Sequence, residues 1–265
     1  MLQLVPQELM VAWQDLESRL ILPVGRLTRS NGAFTFEYIL AALDAWDRRG
    51  FRGIFDFPRL AARYRSERLF PVFRNRLMPT ARPDYPEFIQ ALGLDPKDAD
   101  PMGVLARSGG VRVTDRIELF AAPTYDPEDH VWSSHFLLRG VRHRTEGAQR
   151  RVLALQAGEA LHLRHDPQNT CNPAALQIVT ADSEHIGHLP DYLLEEVQPL
   201  IDVPDGLQVI VERLNPPPIP SQQRVLCRLS ARWSADFRPF SGPKYASLVD
   251  HAAAHERDAE AARAE

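Results

Sequence analysis

The sequence predicts an α+β chain: an N-terminal mixed β-hairpin and helix domain, followed by a small, mostly β barrel with one helix. Three observations predict it. Ser30-Asn31-Gly32 separates two strand-like runs, and Asn-Gly tolerates the positive φ angles of a tight hairpin turn. Ile39, Leu40, Leu43 and Trp46 then recur at helical spacing. Beyond residue 134, short strand-like runs follow one another with a single helical pattern among them, which suits a closed or partly closed barrel.

The elements are read in chain order. Val24 to Arg29 and Ala33 to Tyr38 form the hairpin, with Phe34, Phe36 and Tyr38 on one face. Gly50 stops the helix that follows, while Pro58 and Pro71 each open a short helix, since proline fits the first turn. Asp84-Tyr85-Pro86-Glu87 reads as a capping arrangement for a helix closed by Gly93, and Arg112 to Phe120 returns to strand. Residues 123–133 are rich in breakers and acids, the composition of a linker between a first domain, 1–122, and a second, 134–234. Candidate strands there are His135 to Val141, Arg151 to Leu155, Ala160 to Arg164, Ala175 to Thr180, Leu207 to Arg213 and Arg224 to Trp233. In the last, Val225, Cys227, Leu229 and Ala231 share one face, and Arg224, Arg228 and Arg232 the other. Pro190 opens the helix, with Leu193, Leu194, Val197 and Ile201 towards a core. Residues 235–265 are a tail, Ala- and charge-rich from Ala246, that is either a loosely attached helix or disordered.

Composition bounds the function. Apolar residues are 44% and charged residues 25% of the 265, a globular mix, and a net charge of −4 means that any basic site is local. No leader pattern and no apolar run near bilayer length is present, so a cytoplasmic protein without membrane contact is expected. Phosphate-cradling loops, dinucleotide fingerprints, nucleophile elbows and kinase catalytic loops are absent, so no cofactor and no catalytic step are expected. His162 with His165 and His185 with His188 have a metal-ligand spacing, but on strands such pairs diverge to opposite faces, so no metal is expected. Cys171 and Cys227 form no CxxC.

Local basicity survives this filter. Ten arginines lie between Arg48 and Arg82, mixed with Phe51, Phe55, Phe57, Tyr64, Phe70 and Phe73. They read as a surface for phosphates or acidic protein, or more simply as a solvated face over an aromatic core. A second cluster, Arg139, Arg142, Arg144, Arg150, Arg151 and Arg164, falls in the barrel. With Arg224, Arg228 and Arg232 it gives a possible basic groove for single strands.

Leu138-Arg139-Gly140-Val141-Arg142-His143, Gly158 to Leu163, Asp166 to Leu176, and Ile186-Gly187-His188-Leu189-Pro190 stand in an order and spacing that resembles the HIRAN family over residues 134 to 234. The resemblance implies a small barrel that binds nucleic acid, above all single-stranded DNA with a free 3′ end. It implies that Arg142 and His143 meet the backbone and terminal base, that Asn169 to Asn172 line the end pocket, and that His188 approaches the phosphate. Asn172 stands where that family carries an acidic residue to accept the bond of the terminal hydroxyl; an amide oxygen can still accept it. Val24 to Leu27, Asn31 to Tyr38, Leu69 to Leu77 and Asp100 to Val104 resemble the N-terminal subdomain of HipA-type kinases, without the kinase core. This implies a docking or regulatory module.

The expectation is therefore a non-catalytic adaptor. Its barrel would hold DNA, single-stranded or at 3′ ends, through Arg142, His143, Asn169, Asn172 and His188, with Arg139 and Arg144 on phosphates. Its first half would dock a partner such as a HipA-like kinase core. The alternatives are an antitoxin-like regulator that restrains such a core without DNA, and a DNA-binding subunit of an ATP-dependent DNA-processing complex.

Overall fold

The computed structural model describes residues 5–112, 115–234 and 236–254. Strands β1 (Glu8–Gln14), β2 (Ile21–Ser30), β3 (Ala33–Tyr38), β4 (Tyr64–Ser66) and β5 (Ile117–Phe120) form an antiparallel sheet in the order β4-β3-β2-β1-β5. The β2–β3 hairpin turns as the Asn-Gly pair predicts, with Asn31 at φ 50° and Gly32 at φ 75°. Phe36 and Tyr38 are fully buried and pack with Phe57 and Phe73 in the core of the first half.

Among the described residues, four helices belong to this half: α1 (Ala41–Arg49), α2 (Pro71–Arg74), α3 (Tyr85–Ala91) and α4 (Pro101–Ser108). Gly50 ends α1 in the left-handed conformation at φ 72°. The helix buries Ala42 and Ala45 and leaves Leu43 in solvent, because small side chains let it lie close to the sheet. Asp100 caps α4, accepting from Met102 N at 2.8 Å. Asp84 does not cap α3, since Arg82 holds its carboxylate through two 2.8 Å bonds. No helix starts at Pro58. The Tyr38 hydroxyl accepts from Ile54 N and donates to Phe57 O, closing a turn over residues 54–57 in its place.

The second sheet runs β10-β9-β8-β11-β12-β7-β6, with β6 (Thr124–Asp126), β7 (Val131–Leu137), β8 (Ala160–His165), β9 (Leu176–Val179), β10 (His185–His188), β11 (Leu207–Leu214) and β12 (Val225–Ala231). Residues 123–133, expected as a linker, thus hold β6 and the start of β7 in an antiparallel hairpin. Past β7 the chain reaches Arg139, whose backbone pairs with His188 of β10 and closes the sheet on itself. Helix α6 (Asp191–Val197) buries Leu193, Leu194 and Val197 as the apolar spacing predicts. Arg151 to Leu155, expected as a strand, lies largely in helix α5 (Glu146–Leu153). The Thr145 hydroxyl caps that helix at Ala148 N, and Ala148 and Val152 bury one face four residues apart.

The two halves share apolar contacts. In β1, Leu9 and Val11 face the core of the first half, while Met10 and Ala12 face the barrel. In β5, Leu119 faces the first core and Phe120 lies flat on Tyr192 of α6, centroids 3.8 Å apart. The segment expected as a tail packs along the junction: Phe240 and Tyr245 join the barrel core, Leu248 the core of the first half, and Leu40 N donates to Ala246 O. The Ala-rich end beyond residue 254 lies outside the described residues. Among the described residues, no helix is long and apolar enough to cross a membrane.

Shared burial predicts one cooperative unfolding transition for both halves. Phe120→Ala should lower stability by about 3–5 kcal/mol, read as a shift of a single urea transition seen alike by tryptophan fluorescence and far-ultraviolet circular dichroism.

Candidate nucleic-acid interface

Barrel closure brings the predicted segments together. His188 N donates to Arg139 O at 3.0 Å, and Arg139 N returns to His188 O at 3.3 Å. Gly187 makes this approach possible, since a Cβ there would lie 2.4 Å from Arg139 O and 2.8 Å from the Leu138 side chain. Gly140, at φ 76°, turns the chain directly after the seam into the short 3-10 turn Val141–His143.

The register of β8, β9 and β10 lines up two rows on the outer face of the sheet. One runs Arg164, Gln177, His188, and the other His162, Val179, His185, because opposed residues in antiparallel strands point the same way. Leu161, Leu176, Ile178 and Ile186 alternate with them into the core. Arg164 donates from Nε and Nη2 to Gln177 Oε1 at 3.0 and 2.8 Å. His188 Nε2 lies 2.8 Å from Asp166 Oδ2. Burial would raise the Asp166 carboxyl, but hydrogen bonds from His188, Gln177 and Asn169 outweigh it and hold the group below the usual carboxylate range. A bulge in β10 between His185 and Gly187 defeats the expected divergence of the His185–His188 pair. Their rings meet edge to face, 4.7 Å apart.

His185 Nε2 sits 3.0 Å from Gly187 O, which only accepts, so that nitrogen carries the proton and Nδ1 is free to accept from Arg144 Nη1 at 2.9 Å. Burial, then the charge of Arg144 and the neighbouring His188, push the His185 pKa down to about 4. Arg142 and His143 stand exposed beside this face, with Arg142 Nε donating to His143 Nε2 at 3.0 Å. Arg142, Arg144 and Arg164 have no carboxylate partner among the described residues, whereas Arg150 pairs with Glu146, and Arg151 with Glu159 and Asp182. The face therefore carries three guanidinium groups against the one carboxylate of Asp166.

Of the residues predicted for the site, Arg144 and His188 are brought together through His185, and Arg142 and His143 stand exposed in the turn between Arg139 at the seam and Arg144. Arg139 joins it by backbone alone, since its guanidinium turns away to Glu118 of β5. Asn169 builds the adjoining loop, its Oδ1 accepting from Cys171 N and Asn172 N. Asn172 donates to Asp191 Oδ1 at 3.1 Å and accepts from Ala174 N at 3.0 Å. The basic face expected on β12 does not join the groove: Arg228 pairs with Glu212, Arg224 donates to Asn215 O, and His135 beside Arg228 is half-buried. Gln177, Asp166 and His185 were not among the predicted site residues, and Arg164 was named only as one of the arginines of the groove. Alternation in β8 places Arg164 with His162, but its junction with His188 depends on register.

A family model for the HIRAN domain matches residues 131–236. Residues 131–236 are a HIRAN domain. Two solved structures lie near this chain. A crystal structure of a protein from Lactobacillus plantarum is 19% identical, covering 37% of this chain and 96% of its own, with a TM-score of 0.30. The crystal structure of the HIRAN domain of human HLTF is 18% identical, covering 38% and 71%, with a TM-score of 0.27. No curated protein matches the chain.

Two outcomes follow for the HIRAN domain. Gly187→Ala should force the seam apart and cost about 1–3 kcal/mol of stability, measured by urea unfolding. The unfolded His185 ring takes its proton near 6.5 and the folded ring only near 4, so the unfolded state binds more protons between these values. Stability should thus fall as pH drops from 6.5 to 4, and His185→Gln should flatten part of that loss. His135, pushed down to about 3 by burial and by Arg107 and Arg228, acts in the same direction and persists in the variant.

Proposed function

We propose that this chain is a non-catalytic nucleic-acid-binding adaptor whose HIRAN domain holds single-stranded DNA across the outer face of β8, β9 and β10. The HIRAN domain is a nucleic-acid-binding domain. The observation that carries the reading is the set Arg142, Arg144 and Arg164, three guanidinium groups without carboxylate partners around Gln177, His185 and His188. Phosphates would meet the arginines, while His143 offers a ring face and its Nδ1–H, and His188 its ring, to bases and backbone. No bond is made or broken in this reading.

Recognition of a strand end would fall on the loop of Asn169 and Asn172, and there the amides are largely engaged. Asn169 Oδ1 already accepts two backbone bonds, and both polar atoms of the Asn172 amide have internal partners. The site therefore suits a strand held along its backbone, with a terminal hydroxyl contributing little. The first half would serve the docking role that its resemblance to the N-terminal subdomain of HipA-type kinases implies, towards a kinase core or a DNA-processing ATPase.

The test is fluorescence anisotropy of the full chain with labelled single strands, 3′ hydroxyl free or blocked, over a range of salt. Affinity should fall steeply with salt, and Arg164→Ala should weaken binding to all sequences and lower the log–log salt slope by about 0.7. Blocking the 3′ end should change affinity less than about twofold, well under 1 kcal/mol. Absence of salt-dependent binding would overturn the reading, and loss of binding on blocking the end would restore end recognition.

A further inference from the structure

On the first half, far in sequence from the HIRAN domain, a turn projects an aromatic ring into solvent. Phe55 is 96% exposed at the tip of the turn over residues 54–57. The turn is firmly held. Tyr38, buried in the core with its pKa pushed up to about 12 by burial, accepts from Ile54 N at 2.7 Å and donates to Phe57 O at 2.8 Å. Asp56 Oδ2 accepts from Val72 N at 3.2 Å. The ring is thus displayed from a fixed backbone, which limits the ordering cost of any contact it makes.

Phe55 forms one lip of an open cavity of about 410 Å³ whose apolar wall is Trp13, Phe51, Ile54, Val72 and Ile117. The charges around it are unequal. Asp115 is paired with Arg76 at 2.6 Å, while Asp56 accepts from the Val72 amide and keeps its charge, one carboxylate against two guanidinium groups. Arg116, which also lines the cavity, and Arg52, which donates to the Trp46 and Phe51 carbonyls, have no carboxylate partner among the described residues. An apolar pocket with an aromatic lip, Arg116 in its wall and Arg52 next in sequence to its lining residues Phe51 and Gly53 fits an acidic peptide with one bulky apolar anchor.

We propose that this cavity is a docking site for an acidic peptide segment of another protein. One leucine-sized or aromatic side chain would enter between Phe55 and Trp13, and flanking carboxylates would meet Arg52 and Arg116. The chain's own residues 255–265 contain no bulky apolar side chain and do not supply such an anchor. A nucleic-acid strand would call for a row of cations tracking a backbone, whereas two at the rim of a concave wall suit a single anchored residue. This inference is independent of the DNA reading of the HIRAN domain.

The experiment titrates labelled peptides with a central Leu, Phe or Met flanked by glutamates against the full chain. Matched peptides with flanking lysines, or with serine at the centre, are the controls. Saturable binding of at least one acidic peptide is expected, about tenfold weaker for Phe55→Ala and again for Arg116→Glu, with single-stranded DNA binding unchanged by Phe55→Ala. Because Phe55 is exposed, that variant keeps the fold. No saturable binding by any acidic peptide, equal binding of the controls, or indifference to Phe55→Ala would overturn the proposal. Loss of DNA binding in Phe55→Ala would instead make the cavity a nucleic-acid contact. A change in sedimentation mass would make it a self-association surface. Either result would also overturn the peptide reading.

Discussion

Two strands of the first sheet, β1 and β5, have no solvent face, and the remaining architecture is arranged around that burial. Leu9, Val11, Ile117 and Leu119 fill the core beneath one side, and Met10, Ala12 and Phe120 enter the barrel core on the other. A sheet buried on both sides must be covered on both by apolar surface. The first half supplies one cover from its aromatic cluster and α4; the barrel supplies the other through α6 and the stacked Tyr192. Glu118, the one charged residue of β5, would be costly at such a junction without the guanidinium of Arg139.

This arrangement reaches the candidate interface through two residues. Arg139 closes the barrel with its backbone, opposite His188, and grips the first sheet with its side chain. Asp191 works in parallel, accepting from Asn172 on one oxygen and from Ile21 N on the other. The face formed by Arg142, Arg144, Arg164, Gln177, His185 and His188 is thus fixed at the seam of the barrel and at its contact with the first half. In such a position side chains are pre-organised by packing rather than left to loops.

Legibility in the sequence followed the number of wet faces. The β2–β3 hairpin and β12 could be read because each alternates, and α1 because Gly50 marks its end. Strand β1 could not: Leu9-Met10-Val11-Ala12 is a continuous apolar run, buried on both sides and without a period to detect. Arg151 to Leu155 was misread because the deciding signal, the Thr145 cap, lies outside the window that looked like a strand. At the site, composition pointed to Arg142, Arg144 and Arg164, and family resemblance to His143 and His188. The partnership of Arg164 with Gln177 and His188 is set by strand register, and the meeting of His185 with His188 by a bulge, neither of which leaves a mark on local sequence. Arg139 was expected on phosphates, but its guanidinium is held by Glu118, 21 residues away in another sheet.

The stack of Phe120 on Tyr192 bears on how such a chain can be recombined. A HIRAN domain transplanted from this protein into another would arrive with Tyr192 uncovered and with the Arg139 guanidinium lacking its counter-charge. The recipient would have to provide a flat apolar lid and an acid in register. Exchange between lineages should therefore carry the first sheet along with the barrel, so that the two travel as one heritable unit.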